Sequence, residues 1–304
     1  MNVEVILLDT QTPSRTLSFM VCAVAYLFAV GIALVAAYIF RTYPLLYVIG
    51  IADLVATAVI FAWSYAYNNT SLYDAYWSVI PIVITIALLI TSWPLQGPLL
   101  RALLVSGCIL WWGVRLTYNW ARGWGGLAHQ DWRYVNLQKS TGPFYWIVSL
   151  LGLHLFPTVL VFLGMLSVYT AIYKGTRPMN LLDLLALTVT VGAILVETIA
   201  DKQLHTFVRN RKDPLAILDR GLWGQSRHPN YFGECTFWWG MCLFSLAAAP
   251  KEYIVLVGPI AMTCLFYFVS IPMIDKRMLK KRPHYEQLMK EIPAMFPHPP
   301  GFRK

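Results

Sequence analysis

Charge is what this chain has least of. Only 13% of its 304 residues are Asp, Glu, Lys or Arg, against about 25% in a soluble domain. That shortage excludes an ordinary water-exposed globule. The five cysteines, Cys22, Cys108, Cys235, Cys242 and Cys264, include no C-x-x-C pair. No disulfide framework or zinc site is therefore implied, and all five read as buried apolar thiols. No repeat of fixed period and no low-complexity linker divides the chain, so a single membrane domain over 1–304 is expected. The amino-terminal tail holds Glu4, Asp9 and one cation, Arg15. It lacks a basic leader and a small-residue cleavage site, which argues against a removed signal peptide.

Apolar residues make up 58% of the chain, with 12 Trp, 17 Tyr and 15 Phe. Runs of about 20 apolar residues, enough to cross a bilayer, recur along it. The expected fold is all-α: a polytopic bundle of eight spans, at 18–40, 45–67, 76–94, 98–121, 144–173, 181–208, 229–248 and 252–273. The fifth is long and contains Pro157, so a kink is expected there. Lys and Arg divide unevenly between the loops. One side carries 17, including Arg122, Arg133, Lys139, the group Arg209 to Arg227 and the tail from Lys276 to Lys304. The other side carries four: Arg41, Lys174, Arg177 and Lys251. Both termini are then cytoplasmic. The net charge of +9 belongs to these loops, which favours a membrane protein over a nucleic-acid partner. The host membrane is the endoplasmic reticulum in a eukaryote and the inner membrane in a bacterium.

Ionisable groups inside a bilayer need a partner or a role. Asp53 lies near the middle of the second span and reads as a paired buried acid. His154, beside Pro157, reads as a satisfied buried histidine. Arg101 and Arg115 lie in the fourth span. Glu197, Asp201 and His205 follow at i, i+4 and i+8 and share one helical face. This stripe is either an ion-paired helix end or part of a cofactor or substrate pocket. A lone E-x-x-x-D-x-x-x-H run lacks a metal ligand set. The aromatic block around Trp111, Trp112, Tyr118 and Trp120 is either an interfacial belt or, with Arg115, Asp131 and Arg133, the wall of a lipid pocket. Gly123-Trp124-Gly125-Gly126-Leu127-Ala128 spells G-x-G-x-x-A, but a membrane helix precedes it where the dinucleotide fingerprint requires a strand.

The segment Arg220 to Gly240, RGLWGQSRHPNYFGECTFWWG, carries most of the chemistry. Pro229 suits the first turn of a helix, so a positive helix end forms beside Arg227 and His228 and suits phosphate. The charge alone follows from topology and anionic lipid. The interleaved Trp223, Asn230, Tyr231 and Tyr285 do not: they suit a planar base and an amide, as the cations suit phosphates. The tail from Asp275 to Glu291 reads as a helix broken at Pro283 that covers this segment.

Gly221-Leu222-Trp223, Ser226-Arg227-His228-Pro229-Asn230-Tyr231-x-Gly233-Glu234 and Trp238-Trp239-Gly240 together resemble the steroid 5-alpha-reductase carboxy-terminal domain superfamily, in its DUF1295 branch. The Glu197–Asp201–Gln203–Phe207 stretch, the Trp112–Arg115–Arg122 block and the Lys281-Arg282-Pro283-x-Tyr285 tail fit that branch. The resemblance covers roughly residues 100–300, leaving 1–100 as variable spans and 101–304 as a reductase-like core. It implies an integral membrane reductase that uses NADPH on a C=C bond of a steroid, sterol or other lipid. It places the cofactor against Arg227, His228, Asn230 and Tyr231, with Lys202, Arg209, Trp223 and Tyr285 as further cofactor candidates. Arg115 and Asp131 are the substrate-binding candidates. Glu197, Asp201, Tyr118 and Asp275 are the catalytic candidates. Isoprenylcysteine and phospholipid methyltransferases are more distant relatives that carry R-H-P-x-Y-x-G and bind S-adenosylmethionine, so a methyltransferase is the first alternative. A non-catalytic lipid-binding protein is the second.

Overall fold

Small and large residues alternate around the first helix in the sense a membrane requires. The computed structural model describes residues 14–298; Glu4, Asp9, Arg303 and Lys304 of the charge pattern lie outside the described residues. α1 (Arg15–Ile39) starts where the Ser14 side chain accepts a hydrogen bond from the Leu17 amide at 3.2 Å. Its buried face is Ser18, Cys22, Ala25, Ala29, Ala33 and Ala36, while Leu27, Phe28 and Leu34 point outward. Inside a bilayer, small residues let helices approach and large apolar ones meet lipid. α1 packs on α2 (Leu45–Ala66), which begins after Pro44.

The chain groups into two compact units. The first comprises the described part of Met1–Ile80 together with Leu116–Thr158. It holds α1, α2, a 3-10 turn at Thr70–Tyr73 and the start of α3 (Tyr76–Thr91). It also holds the end of α4 (Leu99–Gly123), then α5 (Trp132–Thr141) and α6 (Tyr145–Val148). A π-helical stretch, Ser149–Leu155, leads from α6 into α7 (Phe156–Tyr169). Pro157 has no N–H to offer the preceding turn, and a widened turn there is a standard accommodation. The kink expected at this proline therefore takes the form of a π segment. His154 sits in it, fully buried, between the Ser149 carbonyl at 2.9 Å and the Ser64 hydroxyl at 3.1 Å.

The second unit comprises Pro81–Arg115 and Val159–Lys304 as far as residue 298. It contains α8 (Leu181–Asn210), α9 (Pro229–Ala248), α10 (Val257–Cys264), α11 (Ile271–Lys281) and α12 (Tyr285–Glu291). α8 opens with a capping box between Asn180 and Asp183. Arg101, fully buried, holds Asp183 through two nitrogens at 2.7 and 2.8 Å and donates to the carbonyls of Arg177 and Pro178. A desolvated guanidinium is tolerable only when its donors are met in this way. α8 is 30 residues long, about 45 Å at 1.5 Å per residue, and so exceeds the hydrocarbon thickness.

Among the described residues, seven helical stretches are long and apolar enough to cross a membrane: Arg15–Ile39, Leu45–Ala66, Thr70–Thr91, Leu99–Gly123, Trp132–Lys174, Leu181–Asn210 and Tyr253–Lys281. The protein is a polytopic all-α membrane bundle. The expected eighth span, 229–248, is the helix α9, but it is not apolar enough to count as a crossing by composition. Thirteen of its 20 residues are buried, so it meets protein more than lipid and can carry Asn230, Glu234 and its tryptophans. Four of the cysteines are buried, whereas Cys264 is exposed.

Candidate functional site

Glycine brings α8 and α9 together. A Cβ on Gly233 would stand 2.8 Å from the Glu197 Cβ and 3.0 Å from the Ala193 carbonyl oxygen, closer than packed atoms tolerate. At Gly240 a Cβ would collide with the Thr190 hydroxyl. This approach puts Glu197 of α8 beside Glu234 of α9, both 4% exposed. The two buried carboxyl groups are close enough to interact electrostatically. Glu234 also accepts from the indoles of Trp112 and Trp238, each at 2.9 Å, and Trp112 stacks on Phe237 at 4.9 Å.

Arg115, at the end of α4's share of this unit, completes the cluster. Its Nη2 lies 2.6 Å from Glu197 Oε2, without the alignment of a hydrogen bond. Its Nη1 donates to Asp201 Oδ2 at 2.9 Å. Asn230 lies within reach of Asp201, and His205 is exposed one turn further along α8. The i, i+4 spacing seen in the sequence is thus realised as one buried face with a shared cation. Among the described residues, four polar atoms of this centre make no hydrogen bond: Nε and Nη2 of Arg115, Oε2 of Glu197 and Oδ1 of Asn230. Nη2 and Oε2 face each other as an ion pair, which leaves Arg115 Nε and Asn230 Oδ1.

A second network lies at the start of α9. The helix begins at Pro229, as its fixed φ allows, with His228 at the cap. The anion at this positive helix end is the protein's own Asp275. Its Oδ2 accepts from Arg227 Nη2 at 2.8 Å, and its Oδ1 contacts His228 Nε2 at 3.0 Å and accepts from the Tyr285 hydroxyl at 2.6 Å. Arg227 Nη1 donates to the carbonyls of Ile292 at 2.7 Å and Met289 at 3.3 Å. The backbone continues the bond: the Arg227 amide donates to Pro293, the His298 amide to Gln225, and the Ser226 hydroxyl to Met295. These side chains form a clasp that fastens the tail to α9. Burial, and then the bond to Asp275, push the Tyr285 hydroxyl above the ordinary phenol range, so it stays a donor. The tail is helical on either side of a break at Arg282–His284, as Pro283 requires.

The other sequence candidates fall around these two networks. Tyr231 stacks on His228 at 5.4 Å and meets Phe266. Trp223 donates to the Ala200 carbonyl at 3.0 Å, and Gln203 accepts from the Leu222 amide, which lays the loop on α8. Gly221 allows this with φ of 62°. Lys202 and Arg209 are exposed on α8. Arg282 is half-buried, and burial, then Arg211, hold its guanidinium below its usual range. Tyr118 and Asp131 belong to the first unit. Tyr118 is exposed beneath the Arg122 guanidinium, and Asp131 caps α5 by accepting from the Arg133 amide at 2.8 Å. Glu234 and Trp112 were missed as site residues. The signal was present, because Asn230 and Glu234 are four residues apart on one helix face.

In the first unit, Asp53 Oδ1 accepts from the Tyr76 hydroxyl at 2.8 Å, and its Oδ2 is buried without a partner. A chain of hydroxyls, Thr57, Thr158 and Tyr73, runs beside it.

Fold and polar centre together define an integral membrane protein whose helices enclose an acid-rich, arginine-bridged cluster. The chain belongs to the DUF1295 family, described as a protein of unknown function, whose model matches residues 60–292. That match takes in every side chain of the cluster and the clasp and leaves out Asp53. An uncharacterised protein of Schizosaccharomyces pombe, C594.04c, is 24% identical over 264 residues, covering 77% of this chain and 74% of its own. No solved structure matches.

Proposed function

We propose that this DUF1295 membrane protein is an NADPH-dependent reductase of a C=C bond in a steroid, sterol or other lipid. One observation carries the reading. Two polar atoms of the cluster without a partner among the described residues are a donor, Arg115 Nε, and an acceptor, Asn230 Oδ1; Arg115 holds Asp201 at 2.9 Å, and Asn230 lies within reach of it. A buried polar atom without a partner costs free energy, and a primary carboxamide offers the complementary pair. The nicotinamide carboxamide is such a group, so the residues fit the cofactor. The signature Arg227-His228-Pro229-Asn230-Tyr231 and its likeness to the steroid 5-alpha-reductase superfamily support the same reading.

When bound, the nicotinamide supplies the hydride. Arg115 and Asn230 would hold its amide, and Asp201 holds Arg115 in place. The neighbouring buried carboxyls of Glu197 and Glu234 would supply the proton that must accompany hydride at the second carbon. Exposed Lys202 and Arg209 would meet phosphates at the cofactor's outer end. Arg227, His228, Asp275 and Tyr285 act at one remove, by holding the tail against the start of α9.

The test is ligand-induced stabilisation of the purified protein in detergent. NADPH should raise its melting temperature, S-adenosylmethionine should not, and Asn230→Ala should reduce the NADPH shift. A shift with S-adenosylmethionine alone would assign the fold to methyl transfer, and no shift with either would leave it without a cofactor.

A further inference from the structure

Arg282 closes α11, its amide donating to the Met278 carbonyl at 2.8 Å. Its half-buried guanidinium is poorly met. Nη1 reaches the Met278 sulfur at 3.0 Å, and Nε is buried with no hydrogen-bond partner among the described residues. A thioether is a weak acceptor. Arg101, Arg115 and Arg227 each hold an acid; among the described residues, Arg282 holds none.

More cations stand around it. Lys280 and Lys281, both exposed, precede it in the last turn of α11. Arg211, exposed at the end of α8, is close enough for its charge to act on Arg282. Asp213 opposes that charge but counts for less, and its Oδ1 already accepts from the Leu215 amide at 2.8 Å. The carbonyl end of a helix favours a cation, which accounts for each arginine singly. It does not account for their meeting, because like charges repel and an unmet buried donor costs free energy.

We propose that Arg282 and Arg211 form a phosphate site, and that its ligand is a phosphate monoester. A monoester carries about −1.5 to −2 charges at neutral pH, which two guanidinium groups balance, whereas a diester would leave one cation over. Each guanidinium fork can present parallel N–H donors to phosphate oxygens. Two sources offer the group: the 2′-phosphate of NADPH, and the headgroup of a lipid such as phosphatidic acid. The site is argued from its own residues and does not rest on the cofactor reading above.

The experiment measures binding to the full-length protein in detergent with two matched pairs of probes. NADPH differs from NADH by one phosphate monoester. Dioctanoyl phosphatidic acid carries a monoester where dioctanoyl phosphatidylglycerol carries a diester. In at least one pair the monoester should bind about tenfold more tightly, the worth of hydrogen bonds to a charged group. Arg282→Gln and Arg211→Gln should each weaken that preference severalfold, and Asp213→Asn should strengthen it. Lys290→Gln, which removes an exposed cation paired with Glu286, should leave it alone. A preference for NADPH assigns the site to the cofactor, and one for phosphatidic acid assigns it to lipid. The wild-type preferences need no variant, so a misfolded mutant cannot decide the outcome. No monoester preference in either pair overturns the inference, as does a preference that folded Arg282→Gln keeps in full. Equal binding of NADPH and NADH, with no preference between the lipids, overturns it while leaving the hydride chemistry proposed above standing. If neither dinucleotide binds, the reductase reading fails and the lipid pair alone decides the site.

Discussion

Arg227 and Asp275 meet at 2.8 Å across 48 residues of sequence, and the same guanidinium reaches the carbonyls of Met289 and Ile292. The pair is 7% and 8% exposed. The Arg-His step before Pro229, which in sequence suggested direct contact with phosphate, is here spent on the protein's own tail.

Breaking this clasp from either side leaves a buried charge behind. Arg227→Ala or Asp275→Asn should destabilise the protein by about 3–5 kcal/mol. Arg227→Lys should recover little, because an ammonium cannot serve a carboxylate and two carbonyls in one plane. Limited trypsin digestion reads this directly: the variants should be cut faster at Lys290 than wild type. Equal digestion would mean the tail is held by other contacts.

The α8–α9 seam allows little extra volume. Gly233→Ala and Gly240→Ala should each lower stability by about 1–3 kcal/mol. Gly233→Ala should also disturb Glu197, whose Cβ lies where the new methyl would sit. Melting temperatures without ligand test the first effect. An unaltered value for Gly233→Ala would mean that the helices separate without cost.

Arg101 and Asp183 form a desolvated pair away from the proposed cofactor centre. Arg101→Gln or Asp183→Asn alone should cost about 3–5 kcal/mol, while Arg101→Met combined with Asp183→Leu should cost much less. A double mutant no better than the singles would show that the carbonyls of Arg177 and Pro178 are the partners that matter.

Asn230→Ala removes an acceptor, Oδ1, that has no hydrogen-bond partner among the described residues. Its melting temperature without ligand should fall by little. Its affinity for NADPH should fall about tenfold, one hydrogen bond's worth. A large loss of intrinsic stability would recast Asn230 as a structural residue.

Much of this arrangement was legible in the chain, and the limits have physical causes. Apolar runs revealed the helices because a bilayer demands length and composition together. The i, i+4 spacing of Glu197 and Asp201 revealed a shared face, and Pro283 revealed the break in the tail. α9 was read as a lipid-crossing span because the pattern of one helix does not show how many neighbours enclose it. Glu234 escaped notice because its meaning depends on Trp112, 122 residues earlier, and on the closeness that Gly233 permits. Arg227 pointed to a ligand because charge pattern cannot distinguish an anion from outside from Asp275 of the same chain.

The most direct measurement is hydride tracing. The purified protein, returned to lipid extracted from its own host, is supplied with NADPH deuterated at either face of the nicotinamide C4. Mass spectrometry should find deuterium in one lipid species with one of the two labels, and Asn230→Ala should lose it. Absence of deuterium from every lipid with both labels would contradict the reductase account.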